Sequence, residues 1–473
     1  MGWLLFILIF GSMTPRLFLI SRVNLCPDEA LWWWMGKHLS AGYYEHGPLT
    51  PWVVGFFTSI GGDTEFFVRI GFVVIFALST TVIYFTGKEV SGSKKAGLLS
   101  ALLFNAIPLF SIEAAMIAVP ESLQVFFYLL TLFCFLKSLH TEKTMWWYLT
   151  GLSLGLGFLS MESMILVVPI FMLFLLISHE KRKWLFKREP YLALGIGLTV
   201  CVPNLIWNIA NGGGSLATTV QRIGQNAYIS TDHLRNFFLS QAIVITPAWF
   251  SLIAVAMVWG LYLSIKNRSD ELLLLSISSL SIIGMLAILE LGNFCAVDAD
   301  WSGIGILPGI ILTAELSRRI MARSKALKLF GIILMLAGCA VSLVFSTQLA
   351  QTGITDLYGW RELGSEVQKI KDNAGKGFHL LADTWDLASA LAFYAKDGSV
   401  YLLNSSGERS TFDLQGPIPA GENALFISGH HYEGIPPSLK KMFKNVQRQP
   451  SVIIYKSKKP LKMFDVFKCY GRA

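Results

Sequence analysis

Carboxylates recur at the ends of apolar segments in the first third of the chain. They stand next to proline or histidine, in the motifs Pro27-Asp28-Glu29, Glu45-His46 and Pro120-Glu121. Several carboxylates at one membrane face, on otherwise apolar elements, are functional candidates by default. These residue types are suited to acid–base chemistry or to binding of a charged substrate at one face of a membrane.

Helix capping is the competing interpretation of the first motif. Proline at the first helical position and acids in the first turn are preferred at a helix N-terminus, where the macrodipole is positive. Taken alone, Pro27-Asp28-Glu29 favours this structural interpretation, and only the recurrence of acids along the chain keeps the functional hypothesis open. Asp63 stands where an N-cap is expected, and we assign it that role.

The composition indicates a membrane protein. Of the 473 residues 53% are hydrophobic and 15% are charged, with a net charge of +8 and a mean hydropathy of +0.54. Soluble proteins are roughly 25% charged, which disfavours a purely cytosolic enzyme. We predict about eleven transmembrane helices, each of which needs about 17–25 residues to cross a bilayer. The apolar runs are 3–21, 66–87, 96–112, 118–136, 145–160, 163–178, 191–209, 237–263, 272–291, 303–317 and 327–348.

The basic residues predict the orientation of these runs. If the N-terminus is inside, the inner side carries 17 Lys and Arg residues, with Lys328 at the start of the last run included. The outer side before the last run carries five, with Arg16 near the end of the first run included. The positive-inside rule therefore predicts a cytoplasmic N-terminus, with the acidic motifs on the outer face. The longest inner connection, 179–190, is too short for the nucleotide-binding unit of ~30 residues that a nucleotide-activated substrate requires. The glycines at 151, 155 and 157, and those at 195 and 197, fit helix contacts better than phosphate loops.

Two segments outside the apolar runs have patterns of their own. In the first outer loop, roughly 22–64, residues 28–40 and 49–60 are predicted to form helices lying in the interface. Residues 349–473 alternate helical and strand patterns. The predicted helices are 360–371, 386–396 and 437–444, and the predicted strands are 378–383, 400–403, 424–428 and 451–456. We therefore predict a transmembrane domain, 1–348, followed by a small extracytoplasmic α/β domain, 349–473.

Several segments resemble a known family. PDEALWWWMGKHLSAGYYEHGPLTPWV and GGDTEFFVRI resemble the first extracytoplasmic loop of bacterial GT-C glycosyltransferases of the family 39 type, the relatives of protein O-mannosyltransferases and lipid A aminoarabinose transferases. WYLTGLSLGLGFLSMES, VPNLIWNIANGGGSLA and LYGWRELGSEV resemble further segments of that family. The resemblance implies a polytopic α-helical GT-C fold. It also implies inverting transfer of a sugar from a polyprenyl-phosphate donor to an acceptor outside the cytoplasm.

The resemblance further implies roles for residues of the first loop. Asp28 would be the general base that deprotonates the acceptor hydroxyl, with Glu29 beside it. Glu45 and His46 match the acidic residue and its basic or histidine neighbour later in that loop, and they are expected to contact substrate.

Two positions depart from the family pattern. Glu121 stands where relatives commonly have aspartate, which keeps the charge and adds a methylene. Met161 stands where many relatives have lysine, so a cation is lost. A divalent metal shared by carboxylates remains one alternative, with Asp28 and Glu121 as its ligands, although no ligand spacing indicates it and the cofactor is left open.

The developing charge on a leaving phosphate needs a cation or a metal. Arg69 is the first candidate and Lys37 is another on the same side. Interfacial snorkelling of Arg69, or a salt bridge to Glu65 four residues earlier, is the competing interpretation. Tyr44 and the neighbouring tryptophans are candidates for stacking on a sugar, although an interfacial aromatic belt is the commoner cause of such residues.

Other functional classes stay open at this point. A transporter or flippase for a lipid-linked or small solute would use the same acids as coupling sites, but it would favour charges near the bilayer midplane and internal repeats, which the sequence does not display. A non-catalytic partner subunit is a third hypothesis. For a transferase in a bacterial inner membrane, lipid A or another envelope glycan is the first expectation for the acceptor and a protein hydroxyl the second; nucleic acid is not expected as a partner.

Overall fold

The structure is a computed structural model that describes residues 2–217, 228–294, 299–322, 357–375, 377–403, 409–456 and 458–473, with isolated positions between 329 and 344. The chain divides into two compact units. Unit 1 comprises Met1–Phe18, His46–Thr50 and Ile70–Thr347. Unit 2 comprises Leu19–Glu45, Pro51–Arg69 and Gln348–Ala473, so residues of the first outer loop share a unit with the C-terminal residues.

Helices occupy most of the first two thirds of the chain. They are α1 (Gly2–Leu19), α2 (Pro27–Lys37), α3 (Leu49–Gly61), α4 (Glu65–Ser91), α5 (Lys94–Ala106), α6 (Pro120–Thr141), α7 (Thr144–Ser160), α8 (Val167–Ile177), α9 (Glu189–Ala210), α10 (Thr231–Ile245), α11 (Pro247–Asn267), α12 (Asp270–Leu291) and α13 (Gly303–Met321). A π-helical turn, Leu109–Glu113, follows α5. The two predicted loop helices, 28–40 and 49–60, correspond to α2 and α3.

The helices confirm a multi-pass membrane protein. Six of them within the described residues are long and apolar enough to cross a membrane, namely α1, α4, α6, α9, α11 and α12. A seventh crossing results if α5 and the segment Leu109–Met116, which are bent by 78°, form one span. The remaining predicted runs coincide with the shorter or more polar helices α7, α8 and α13, except that most of 327–348 lies outside the described residues.

One predicted apolar run is not a single helix. Residues 237–263 form two helices, α10 and α11, which meet at Thr246 with a φ of 74°. Pro247 explains this break, because proline has no amide hydrogen to donate and disfavours the helical conformation of the residue before it.

Four of the predicted contact glycines of α7 and α9, namely those at 151, 155, 157 and 197, lie against neighbouring segments. The prediction is wrong for Gly195, where a Cβ would have no atom within 4 Å. A Cβ on Gly151 would lie 2.0 Å from the carbonyl oxygen of Ala193, and a Cβ on Gly155 would lie 2.7 Å from that of Gly197. Only a residue without a side chain allows two helix backbones to approach this closely. These glycines therefore serve packing inside unit 1.

Unit 2 contains a five-stranded sheet of order β2-β1-β3-β5-β4. The strands are β1 (Phe378–Ala382), β2 (Val400–Leu402), β3 (Asn423–Ser428), β4 (Phe443–Lys456) and β5 (Lys459–Arg472), and the helices are α14 (Trp360–Ala374), α15 (Trp385–Tyr394) and α16 (Pro437–Met442). β1 lies parallel to β2 and β3, whereas β5 is antiparallel to both β3 and β4. The C-terminal α/β pattern is thus confirmed, although β5 and the first half of β4 were not predicted.

Candidate active site

A buried ion pair lies beneath the acidic motif of the first loop. Arg69 of α4 is 3% exposed, and its Nε donates to Oε1 of Glu29 at 2.7 Å, while its Nη2 contacts Oε2. The remaining guanidinium hydrogens are donated to the carbonyl oxygens of Ile20, Val23 and Asn24, each at 2.8 Å. All five N–H groups of Arg69 are therefore used, and they connect the start of the loop to α2.

Glu29 also holds the N-terminus of α2. Its Oε2 accepts a hydrogen bond of 3.0 Å from the backbone nitrogen of Cys26, the residue that precedes the helix. Glu29 is fully buried, at 0% exposure. Since it is the third residue of the helix, it caps the first turn as acids at this position commonly do. Helix capping, the structural interpretation of the acidic motif, therefore accounts for Glu29.

Asp28 lies in the same helical turn but in a different environment. It follows Pro27, is the second residue of α2 and is exposed. Its neighbours on either side are fixed by proline and by the Glu29–Arg69 pair. An exposed carboxylate is therefore presented from the N-terminus of α2. A general base needs such access, because it must come within about 2.6–3.2 Å of the proton that it takes.

Cys26 is a weaker candidate than Asp28 for the reactive group of this turn. Its burial, and then the negative charges of Glu29 and Asp28, raise the pKa of the thiol well above its ordinary value. A neutral thiol is a poor nucleophile. The exposed carboxylate of Asp28 is thus the better candidate for proton transfer.

Tyr394 supports the loop immediately before α2, which sequence reasoning missed. Its hydroxyl accepts a hydrogen bond of 2.6 Å from the backbone nitrogen of Leu25. Burial, and then the charge of Glu65, raise the pKa of Tyr394, so the phenol stays neutral. No local pattern indicates this contact, because 369 residues separate the two partners.

Glu45 joins the end of the loop to the C-terminal residues. Its Oε1 accepts from the hydroxyl of Ser410 and from the backbone nitrogen of Thr411, both at 2.8 Å, and its Oε2 contacts the Thr411 hydroxyl. The backbone nitrogen of Tyr44 donates to the same hydroxyl at 3.2 Å, and the guanidinium of Arg409 lies 5.9 Å from the Tyr44 ring centroid. Tyr44 is buried. Glu45 and Tyr44 therefore both hold the end of the loop against residues 410–411.

The three consecutive tryptophans of α2 are buried. The Trp33 ring meets Phe393 of α15 edge-on at 5.0 Å, and the Trp34 ring lies 4.5 Å from that of Phe412. The indole nitrogen of Trp34 donates to the carbonyl oxygen of Gly398. Neither sugar stacking nor an interfacial belt therefore describes these side chains, which form the core between α2 and the C-terminal residues.

Asp63 is not an N-cap, contrary to the prediction. α4 begins at Glu65, and the hydroxyl of Thr64 accepts from the backbone nitrogen of Phe67 at 3.4 Å. The carboxylate of Asp63 instead accepts from the indole nitrogen of Trp33 at 2.7 Å and pairs with Nζ of Lys37 at 2.6 Å. Lys37, a candidate phosphate ligand, is thus already engaged.

The other candidates lie in unit 1. His46 is half-buried in the segment His46–Thr50, and Glu121 is half-buried in the first turn of α6. Met161 is buried at the end of α7. Near it Glu162, which was not a candidate, accepts a hydrogen bond of 2.7 Å from the hydroxyl of Ser215. Substrate contacts of His46 and Glu121 stay predictions.

No metal cluster is present in the part of the chain that the structure describes. No group of three or more His, Cys, Asp or Glu side chains in it could hold a metal ion. Asp28 and Glu121, which were named only as the ligands of a metal if one binds, belong to different units.

Comparison with known proteins identifies the architecture. The profile of the family described as dolichyl-phosphate-mannose-protein mannosyltransferase matches residues 45–207. The lipid A galacturonosyltransferase RgtD of Rhizobium johnstonii is 24% identical over 409 residues, which cover 83% of this chain and 83% of that protein. The undecaprenyl phosphate-alpha-4-amino-4-deoxy-L-arabinose arabinosyl transferase 1 of Sodalis glossinidius is 25% identical over 273 residues, 54% of this chain and 47% of that protein.

A solved structure matches nearly the whole chain. ArnT from Cupriavidus metallidurans superposes with a TM-score of 0.66 in the apo state and 0.70 when bound to undecaprenyl phosphate. Sequence identity is 14%, and 98% of each chain is covered. The predicted GT-C fold, with helices followed by a sheet-containing C-terminal region, is confirmed.

Proposed function

We propose that this chain, a membrane glycosyltransferase of the GT-C class, transfers a sugar from a polyprenyl-phosphate donor to a hydroxyl group of a lipid acceptor, with Asp28 as the general base. The exposure of Asp28 at the N-terminus of α2, next to Glu29 of the buried Glu29–Arg69 pair, carries this proposal. Lipid A is the first acceptor to test, because RgtD is named for transfer to lipid A. A protein hydroxyl is the second.

The reaction needs one proton acceptor and one charge-stabilising group. A carboxylate within about 2.6–3.2 Å of the acceptor hydroxyl takes its proton while the oxygen attacks the anomeric carbon. The bond between that carbon and the phosphate oxygen breaks, and the lipid phosphate leaves with the electron pair. Attack opposite the leaving phosphate inverts the anomeric configuration.

Arg69 supports this chemistry through Glu29. Its guanidinium donates every N–H to the loop or to Glu29, so none is directed at a phosphate. Removing Arg69 would leave the Glu29 carboxylate buried without its partner, which is strongly destabilising. We therefore assign Arg69 a positioning role and leave the phosphate to another cation.

The active face is assigned to the extracytoplasmic side. The inner side carries 17 basic residues against five outside, which supports a cytoplasmic N-terminus in a bacterial inner membrane. Asp28 and the C-terminal α/β residues then face the periplasm or exterior. The transporter hypothesis has no support among the relatives named above, since both curated relatives are named for sugar transfer.

The test uses membranes that contain equal amounts of each variant. Radiolabelled galacturonosyl and aminoarabinosyl polyprenyl phosphates are offered in turn, with lipid A or a serine-rich peptide as acceptor. We expect labelled lipid A with the wild type and at least about a hundredfold less with Asp28→Asn, because general-base catalysis contributes about 10²–10⁴-fold.

Asp232→Asn is the matched control. Asp232 is an exposed acid in the first turn of α10, so the same substitution there should leave transfer unchanged. Equal transfer by Asp28→Asn and the wild type would remove Asp28 from the mechanism. Label found only in the peptide would show that the acceptor is a protein hydroxyl and not a lipid.

A further inference from the structure

The hairpin formed by β4 and β5 is strongly basic at its tip. Residues 456–462 contain four Lys residues and no Asp or Glu. Lys458 and Lys459, at the tip, are exposed and make no ion pair within the described part of the chain. Two adjacent exposed lysines create a local positive potential that attracts anions.

The same tip exposes apolar side chains. Ile453 is 39%, Tyr455 55% and Met463 43% exposed, whereas Val452 and Ile454 are buried. Because side chains alternate between the faces of a strand, Ile453 and Tyr455 share the outer face of β4. Ile453 lies opposite Met463 in the register, so these three residues form one apolar patch beside the lysines.

The other side of the tip packs on the chain segment that leads into α14. Nζ of Lys462 lies 3.8 Å from the ring centroid of Trp360, and Nζ of Lys456 lies 5.2 Å from that of Tyr358. Ile454 packs so closely on Gly359 that a Cβ there would lie 2.7 Å from its Cγ2. The tip is therefore fixed to residues 358–360.

That segment is tied to the end of a membrane helix. Arg361, the next residue, pairs with Glu65. Glu65 is the first residue of α4, a helix long and apolar enough to cross a membrane. The contacts from Lys462 through Trp360 and Arg361 to Glu65 therefore link the hairpin tip to the first residue of α4.

We infer that the tip of the β4–β5 hairpin binds the anionic lipid headgroups of the bilayer in which the protein resides. Lysines near a lipid surface attract anionic headgroups, each contributing about fivefold to binding. The patch of Ile453, Tyr455 and Met463 matches the apolar boundary below the headgroups, where aromatic and aliphatic side chains insert. Lysine stems reach along such a boundary while their charges stay in water.

The contact is tested in the full-length chain reconstituted in liposomes, without sugar donor, so the result does not depend on the transferase activity. The variant Tyr455→p-benzoylphenylalanine is photoactivated, and its adducts are identified by mass spectrometry. One set of liposomes holds only phosphatidylcholine, and the other adds phosphatidylglycerol. We expect lipid adducts at position 455, enriched in phosphatidylglycerol beyond its share of the bilayer.

Charge reversal at the tip is then compared with the same change in α16, which shows whether lipid binding depends on the lysines of the tip. Lys458→Glu with Lys459→Glu should lower the phosphatidylglycerol adduct about tenfold or more. Lys440→Glu with Lys441→Glu, the same change in α16 next to the opposite end of β4, should not. Size-exclusion profiles and melting temperatures verify that both variants are folded.

Three outcomes would overturn the inference. Adduct yields at position 455 no higher than those of p-benzoylphenylalanine placed at Lys441 would show that the tip does not meet lipid. Phosphatidylglycerol adducts no more frequent than the share of that lipid in the bilayer would show that the tip does not select anionic headgroups. Adducts to a second copy of the chain would make the hairpin a protein interface.

Discussion

Substitution of the Glu29–Arg69 pair tests how Asp28 is held. Glu29→Gln leaves a buried guanidinium facing a neutral amide, and Arg69→Met leaves a buried carboxylate and three loop carbonyls without their donor. Loss of one partner of a buried pair costs about 3–5 kcal/mol. Because displacement of a catalytic group by about 1 Å can cost 10²-fold in rate, we expect each variant to lower kcat about a hundredfold.

The double variant decides whether the two residues act together. If Arg69 acts only through Glu29, Glu29→Gln combined with Arg69→Met should be little worse than either single change, with a coupling of about 2–3 kcal/mol. kcat and the donor KM are measured for all four proteins, together with the melting temperature. The exposed pair Asp232–Arg235 provides the control, since its Asp→Asn and Arg→Met changes should shift stability by less than about 1 kcal/mol.

An additive result would refute this reasoning. If Arg69→Met raised the donor KM strongly while Glu29→Gln did not, Arg69 would bind the donor phosphate directly, as the sequence first suggested. If neither variant changed kcat while Asp28→Asn abolished it, the helix N-terminus would not need the pair to present Asp28.

Three further predictions concern the C-terminal residues of unit 2. Glu45→Gln should weaken the hydrogen bonds to Ser410 and Thr411, and hydrogen exchange at residues 409–415 should then quicken, whereas unchanged exchange would show that these bonds do not hold the loop. Tyr394→Phe should leave the buried backbone nitrogen of Leu25 without an acceptor, at a cost of about 1–3 kcal/mol, and should lower kcat with little change in donor KM. Although burial opposes ionisation of Asp465, the Tyr432 backbone nitrogen, Ser451 and nearby positive charges lower its pKa, so its contribution to stability is present above its unfolded pKa of about 4 and is lost on further acidification. Melting temperatures recorded between pH 7 and 3 should therefore fall less steeply for Asp465→Asn than for the wild type, and parallel curves would contradict this assignment.

Local patterns were sufficient to predict most of the helices. The loop helices 28–40 and 49–60 match Pro27–Lys37 and Leu49–Gly61 within a few residues, because apolar spacing and proline act over one or two turns. The break at Thr246 was missed although Pro247 marked it, since the apolar run continues across it. β5 was missed because its consecutive buried residues 464–467 hide the alternation expected of a strand.

The sequence by itself determined the membrane character, the orientation expected from its basic residues and the choice of the first loop as the place to look for chemistry. These depend on composition and short-range order, which are local properties. Tertiary structure alone decided that Glu29 is a buried support while its neighbour Asp28 is exposed, and that Glu45 is bonded to Ser410 and Thr411, 365 and 366 residues away. Burial and hydrogen bonding depend on which distant segments come together, so two adjacent acids of similar chemistry acquire different roles only in the folded chain.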